Sequence, residues 1–443
     1  KCLEGVKTPF LEHKILINNF ATMPEGCYQP EDLDKLVPDI NLNNTTPLPE
    51  GSIEEEDIAS IIYTSGTTGF SKGVVLTHKN LVWDARQCRT IQPVDETYRF
   101  LSILPMAHTY ENTLGLLLPL MFGAQVYYLD RVPTPKLLVP AMQKIRPTVV
   151  LSVPLIIEKI YKSQVLPKFT SSKLMSKLYR FAPARKLFNR LAGKKLMETF
   201  GGELKFFGIG GSKLDGTVEQ FLREAKFPYA IGYGLTETAP MAAGSNPSQT
   251  FLQGVGPVME GVQIKINDPD KSGQGEIWIK GPNVMKGYYK RPELTAETFT
   301  EDGWFKTGDL GSFDKKNRLA IRGRIKTMIL GASGENIYPE EIESIINNFR
   351  FVNESLVVEN SGKLVAMVHF NMEELEKQYQ KLKDQAGNYK EKINDYIEEQ
   401  KQELRDYVNA RVNNFSKLQL VLVQHEPFEK TPTHKIKRFL YCK

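Results

Sequence analysis

Between Tyr63 and Gly73 the chain reads YTSGTTGFSKG. Thr64, Ser65, Thr67 and Thr68 carry hydroxyls, Gly66, Gly69 and Gly73 leave the backbone bare, and Lys72 adds a cation. Glycine backbone N–H groups can approach a phosphate closely, hydroxyls donate further hydrogen bonds, and a lysine supplies charge. The GK[ST] ending in front of a helix is missing, so this is not a Walker A loop. The residues alone leave two readings open, a phosphate cradle and a solvated turn.

The elements that must hold such a loop are legible in the hydropathy. Short β-rich runs at 58–64, 99–105, 124–130, 148–154 and 204–210 alternate with helical stretches. One of these, 135–146, has Thr134 as a candidate N-cap and Pro135 at its first position. Another follows Asp215 and ends near Lys226. This alternation predicts an α/β fold: a large N-terminal domain of mostly parallel sheet flanked by helices. After Gly254 the period changes to two, with Val262, Ile264 and Ile266, then Ile277 and Ile279, alternating with polar residues. That pattern predicts an antiparallel β subdomain. From about Gly323 a smaller α+β unit is expected, with a helix at 340–348, a hairpin at 354–370, a charged helical stretch at about 372–411 and a last strand at 418–424. The expected domains are therefore 1–322 and 323–443.

Further motifs follow in order: LPMAH at 104–108, GYGLTET at 232–238, GWFKTGDL at 303–310, GRIK at 323–326, GENIYPEEIE at 334–343 and TPTHKIKR at 431–438. Together with the 63–73 loop they resemble the acyl-adenylate-forming superfamily of acyl-CoA synthetases, luciferases and peptide-synthetase adenylation domains. SVPLIIEKIY at 152–161 is similar to a segment of the long-chain fatty acyl-CoA synthetases, and the 334–343 and 431–438 motifs point the same way.

The resemblance implies a two-step ligase using ATP, Mg²⁺ and CoA. A fatty acid carboxylate attacks the ATP α-phosphate, giving acyl-AMP and pyrophosphate; CoA thiolate then displaces AMP. Thr64, Ser65, Gly66, Thr67, Thr68, Gly69 and Lys72 would bind ATP phosphates. Gly210, Gly211, Ser212, Gly232, Tyr233, Gly234, Leu235 and Thr236 would hold AMP, with Tyr233 stacking on adenine. Glu237 would hold Mg²⁺ on the phosphates. Asp309 and Arg324 would bind the ribose. His108 would sit at the mouth of the acyl pocket. Catalysis would rest on Lys435, with Glu237, Thr64 and His108. Gly331, Ala332, Ser333, Gly334 and Glu335 would meet CoA once the small, mobile C-terminal domain rotates about a hinge at Lys315–Lys326. The 62 residues before Tyr63 are fewer than this family implies, so an N-terminal part of the large domain is expected to be missing. Medium-chain or aryl acid:CoA ligase, acyl-AMP ligase and non-catalytic nucleotide- or acyl-binding protein remain as alternatives.

Composition argues against other classes. With 41% hydrophobic and 25% charged residues, the chain is neither disordered nor disulfide-stapled. Cys2, Cys27, Cys88 and Cys442 show no metal spacing and read as free thiols of a reducing, cytoplasmic compartment. The longest apolar stretch, Leu114 to Phe122, contains Pro119 and is far shorter than the roughly 20 residues of a spanning helix. Net charge is +5, yet eleven Lys or Arg and no acid lie between Glu158 and Glu198. Pro183 divides this run into helical pieces at about 171–181 and 184–196. Its leucines and phenylalanines either pack on the large domain or, with the cations, face an anionic membrane as a peripheral surface. Nucleic acid is not expected as a partner, because no aromatic stacking platform accompanies the charge.

Overall fold

Alternating burial and turn chemistry build the elements. In the computed structural model the described residues are 14–15, 27–28, 53–65, 71–129, 134–170, 172–331, 335–382, 389–430 and 436–442. The chain forms two units, Lys1–Glu54 and Glu55–Lys443. In the first, β1 (Lys14–Ile15) and β2 (Cys27–Tyr28) pair in parallel.

The second unit opens with β3 (Ile58–Ser65) and β4 (Ser71–Thr77), an antiparallel hairpin in which Thr64 faces Lys72 and Tyr63 faces Gly73. Gly73 is required by packing: a Cβ there would lie 2.9 Å from Ile61 Cγ2. Thr77 caps the following helix, His78–Ile91, in a reciprocal box with Asn80. Then come β5 (Arg99–Ser102), β6 (Gln125–Tyr128), β7 (Val149–Ser152), β8 (Phe206–Ile209), β9 (Tyr229–Gly234) and β10 (Met241–Gly244). They form one sheet in the order β10-β9-β8-β7-β5-β6, parallel except for β10. Strands β7 and β8 are almost continuously buried, as a sheet covered on both faces requires. Helices Pro135–Ile145 and Gly216–Glu224 match the sequence reading. The Asp215 carboxylate accepts from the N–H groups of Thr217 and Val218, whereas Thr134 takes the N-cap position without a side-chain bond.

The period-two region is an antiparallel sheet. Strands β11 (Gln263–Asn267) and β12 (Gly275–Lys280) pair with Ile264 opposite Ile279 and Ile266 opposite Ile277. Short β13 (Gly287–Tyr288) joins the edge of β4. Strands β14 (Phe305–Phe313) and β15 (Leu319–Arg324) complete the sheet β11-β12-β14-β15.

Beyond Arg324 a 3₁₀ turn, Ile325–Thr327, leads to β16 (Ile329–Leu330), β17 (Asn336–Ile337) and helix Pro339–Ile346. Strands β18 (Val352–Asn360), β19 (Lys363–Phe370) and β20 (Leu420–Val423) form the C-terminal sheet. The charged stretch supplies helices Met372–Leu382 and Tyr389–Asn409. This region has its own hydrophobic core around Ile346, Val368, Leu404 and Val408.

The hinge expectation is corrected in part. Lys315 and Lys316 belong to the tight turn between β14 and β15, where Asp314 Oδ1 accepts from the N–H groups of Lys316 and Arg318 at 2.9 Å each. A turn braced in this way inside a sheet does not pivot. The Ile325–Thr327 turn, within the expected span, connects the antiparallel sheet to the C-terminal elements. The C-terminal elements also touch the large sheet region: Ser344 Oγ donates to Asp215 Oδ2 at 3.0 Å, Asn348 Nδ2 donates to the same oxygen, and Lys213 pairs with Glu341 at 3.3 Å.

Candidate active site

Strand order turns around β5, which has β6 on one side and β7 on the other. In an open parallel sheet the crevice beyond the carboxyl ends at such a switch point is where ligands bind. Here that crevice is edged by the loops after β5, β7, β8 and β9. After β5 comes His108, whose Nδ1 accepts from the Tyr110 N–H at 3.2 Å. His108 thereby helps to start the helical segment that includes Glu111–Leu117. After β8, buried Gly210 lies against the Tyr110 ring, and Gly211, at φ +87°, lies beside Val153. Gly211 and Ser212 are exposed.

After β9, Gly232–Thr236 run into a 3₁₀ turn, Thr236–Thr238, that carries Glu237. Gly234 is obligatory, because a Cβ would fall 1.7 Å from the Pro240 carbonyl oxygen. Thr238 Oγ1 accepts from the Leu235 N–H at 2.9 Å and donates to the Pro240 carbonyl. Asn283 Nδ2 donates to the carbonyls of Thr238 and Met241. The turn is therefore held from both sides, and Glu237, half-buried on it, is positioned rather than free to swing.

Two polar groups meet near this turn. In the first, the Tyr288 hydroxyl donates to Glu237 Oε1 at 2.8 Å, and Lys72 Nζ donates to the same hydroxyl at 3.4 Å while lying 4.6 Å from the ring centroid. Burial lowers the Lys72 pKa, with Glu237 opposing; burial, then Glu237, raises that of Tyr288. In the second, Asp309 accepts from Tyr233 Oη at 2.9 Å and from Arg324 Nε at 2.8 Å. The Asp309 charge raises the Arg324 pKa. Burial, then Asp309, holds the Tyr233 phenol well above its usual range. Tyr233 is only 8% exposed, so its ring is chiefly a core side chain and its hydroxyl a brace for Asp309, a bond the sequence does not announce.

The structure brings together Lys72, Glu237, Tyr233, Asp309 and Arg324, with Thr64 directly across the hairpin from Lys72. It adds Tyr288, which sequence reasoning missed; its only signal was a place in a GYY run, where a tyrosine reads as core. Gly331 and Glu335 close the β16–β17 hairpin through the Gly331 N–H and the Glu335 carbonyl, 2.8 Å apart. Gly66, Thr67, Thr68, Gly69, Ala332, Ser333, Gly334 and Lys435 lie outside the described residues. Among the described residues no cluster of three His, Cys, Asp or Glu could hold a metal by itself.

The family described as AMP-binding enzyme matches residues 6–289. The chain belongs to the AMP-binding enzyme family. Long chain acyl-CoA synthetase 6, peroxisomal, of Arabidopsis thaliana is 31% identical over 416 residues, covering 86% of this chain and 58% of that protein. Long-chain-fatty-acid–CoA ligase 1 of Saccharomyces cerevisiae is 32% identical over 335 residues, covering 69% and 47%. This family member spans about half the length of the curated relatives it matches. O-succinylbenzoate coenzyme A synthetase from Bacillus subtilis, solved with ATP and magnesium ion, superposes with a TM-score of 0.68 at 22% identity, covering 96% of this chain and 78% of that one. That likeness establishes the shared fold. No described helix is long and apolar enough to cross a membrane.

Proposed function

We propose that this chain carries the adenylating centre of a long-chain fatty acid:CoA ligase, an acid–thiol ligase of fatty acid metabolism that forms acyl-AMP and then acyl-CoA. The observation that carries the reading is the meeting of Lys72, Tyr288 and Glu237 beside Tyr233, Asp309 and Arg324. A cation and a carboxylate joined through one hydroxyl suit nucleotide phosphates and their counter-ion, and a second carboxylate held by two donors suits ribose hydroxyls. The names of the relatives supply the acyl class.

In the first half-reaction the fatty acid carboxylate oxygen bonds to the α-phosphorus and the bond to pyrophosphate breaks. Lys72 and the 64–69 loop hold the departing phosphates. Asp309 accepts from the ribose hydroxyls while Tyr233 and Arg324 fix its orientation. Lys435 stabilises charge developing on the α-phosphoryl oxygens. Glu237 fits Mg²⁺ as a lone protein carboxylate completed by phosphate oxygens, the ion's usual arrangement with nucleotides; when bound it would neutralise phosphate charge. In the second half-reaction the CoA sulfur bonds to the acyl carbon and AMP departs. The residues beyond Thr327 rotate about the Ile325–Thr327 joint between the steps, exchanging Lys435 for the 331–335 segment. The substrate partitions into bilayers, so the reading includes peripheral contact with an anionic membrane through residues 159–195.

The test is pyrophosphate release and thioester formation across acids from acetate to palmitate. Pyrophosphate release with palmitate and CoA-thioester product is the expected result. Adenylate without thioester would make it an acyl-AMP ligase, a preference for short or aromatic acids would move the substrate class, and nucleotide binding without turnover would make it a binding protein.

A further inference from the structure

Most of the basic run between Glu158 and Glu198 falls on two helices, Lys173–Arg180 and Ala182–Thr199, while Lys159, Lys162 and Lys168 lie on the helical segments before them. The structure divides its apolar residues into two sets. Met175, Tyr179, Phe188, Ala192 and Met197 pack against the core built around Phe169, Leu196 and Phe221. Phe169 stacks on Tyr179 at 4.8 Å and on Phe188 at 5.7 Å. The other set faces out: Leu174, Leu178, Phe181, Leu187 and Leu191 are 69, 40, 62, 59 and 57% exposed. Lys177, Arg180, Lys186, Arg190, Lys194 and Lys195 are exposed among them.

A surface helix of a globular protein ordinarily buries its apolar stripe and shows water a polar face. Here the buried stripe exists and is satisfied, and the outward face carries a second set of leucines interleaved with cations. Not every cation belongs to that face. Arg185 pairs with Glu224 at 2.9 Å, and Lys162 donates to the Asn347 carbonyl. Beside the second helix Lys186, Arg190, Arg223 and Lys226 border a shallow groove that also includes Glu224 and exposed Leu252. Arg185 and Asn189 already hold the Glu224 carboxylate.

We infer that the outward face of helices Lys173–Arg180 and Ala182–Thr199 docks on an anionic lipid bilayer. Leu174, Leu178, Phe181, Leu187 and Leu191 enter the boundary between headgroups and acyl chains. The interleaved lysines and arginines run their methylene stems alongside and place their charges at the phosphates. The groove edged by Lys186, Arg190, Arg223 and Lys226 receives a headgroup phosphate. A second copy of the chain is a poor occupant, since two such faces would bring like charges together. Single-stranded nucleic acid would need several exposed rings, and among the described residues of this stretch Phe181, between the two helices, is the one exposed aromatic. The inference deepens the membrane contact of the ligase reading, yet it is tested without turnover, so its failure would leave that reading standing.

The test is flotation of the full 443-residue chain with phosphatidylcholine vesicles, with and without phosphatidylglycerol. Binding is expected only with phosphatidylglycerol and should weaken steeply as salt rises above about 0.1 M, where charges separated by more than about 10 Å are screened. Each cation near the surface contributes about fivefold, so Lys177→Gln, Arg190→Gln and Lys194→Gln together should lower affinity on the order of 100-fold. Leu174→Ser, Leu187→Ser and Leu191→Ser together should also release the protein. Lys271→Gln with Lys315→Gln, exposed lysines elsewhere, should change little. Equal binding to neutral vesicles, binding to neither, or binding unchanged by the first two variants would overturn the inference. Dimerisation in sedimentation velocity that the leucine variant abolishes, with no vesicle binding, would instead assign the face to a second copy. Capture of an acidic protein without lipid binding would likewise refute the bilayer.

Discussion

Replacing Tyr288 with phenylalanine isolates one bond at the centre of the site. The ring stays, and with it the contact to Lys72 at 4.6 Å. The anchoring bond from the Tyr288 N–H to Thr295 Oγ1, 2.9 Å, also survives. What disappears is the hydroxyl that donates to Glu237 Oε1 at 2.8 Å and accepts from Lys72 Nζ at 3.4 Å. A hydrogen bond to a charged group is worth about 1.5–3 kcal/mol. Glu237 is half-buried and water can partly replace the donor, so the lower end applies. The Lys72 bond, near the upper limit of hydrogen-bond length, adds little. About 1.5 kcal/mol corresponds to roughly tenfold in rate. Tyr288→Phe should therefore lower kcat/KM for pyrophosphate release about tenfold and raise the Mg²⁺ concentration needed for half-maximal rate. Thioester formation from supplied acyl-AMP, which involves no pyrophosphate, should hardly change. An unaltered adenylation rate, or equal losses in both half-reactions, would refute the assignment. A matching fall in melting temperature would turn the effect into one of packing.

Lys435→Ala should abolish acyl-AMP formation while largely sparing thioester formation from supplied acyl-AMP, because the charge it would stabilise exists only in the first step; the selective loss appearing in Lys437→Ala instead would move the role two residues on. Glu111 is 1% exposed, burial pushes its carboxyl up to about 7 from 4.5, and Oε2 has no described partner. The folded state then holds a proton that the unfolded chain releases above pH about 4.5. The stability associated with that proton is complete below this value and declines as pH rises towards 7, by about 3 kcal/mol in all. Burial likewise holds Glu343 at about 7, so the diagnostic is the difference between proteins: Glu111→Gln should melt higher than the parent at pH 8 and show no such gain at pH 4, and parallel melting curves would reject it. Lys316→Pro removes the N–H that Asp314 Oδ1 accepts and should cost about 1–3 kcal/mol while leaving the ratio of the two half-reaction rates unchanged; selective slowing of thioester formation would return the pivot to that turn.

Much of the architecture was local information. Side-chain periodicity of two put Ile264 and Ile266 on one face and Ile277 and Ile279 on its partner, and the register that results packs half-buried Ile264 and Ile266 against fully buried Ile277 and Ile279. The strand runs of the parallel sheet, the helix after Asp215 and the break at Pro183 were legible for the same reason: backbone hydrogen bonding and proline sterics act within a few residues. Thr64, Lys72, Glu237, Asp309 and Arg324 could be named because the short motifs that carry them resemble those of the acyl-adenylate-forming superfamily. Partners distant in sequence could not. Tyr288 joins Lys72 across 216 positions and Glu237 across 51, and Tyr233 finds Asp309 76 positions away. Arg185 was one cation among eleven until the fold set Glu224 against it. Leucines at helical spacing looked alike in sequence, and only the packing of one stripe onto the Phe169 cluster left Leu174, Leu187 and Leu191 facing water. Composition and period determine which elements form and which residue types a loop offers. Which charge is paired, which hydroxyl bridges and which apolar side chain stays uncovered depend on what the rest of the chain brings alongside, and that is decided by long-range packing alone.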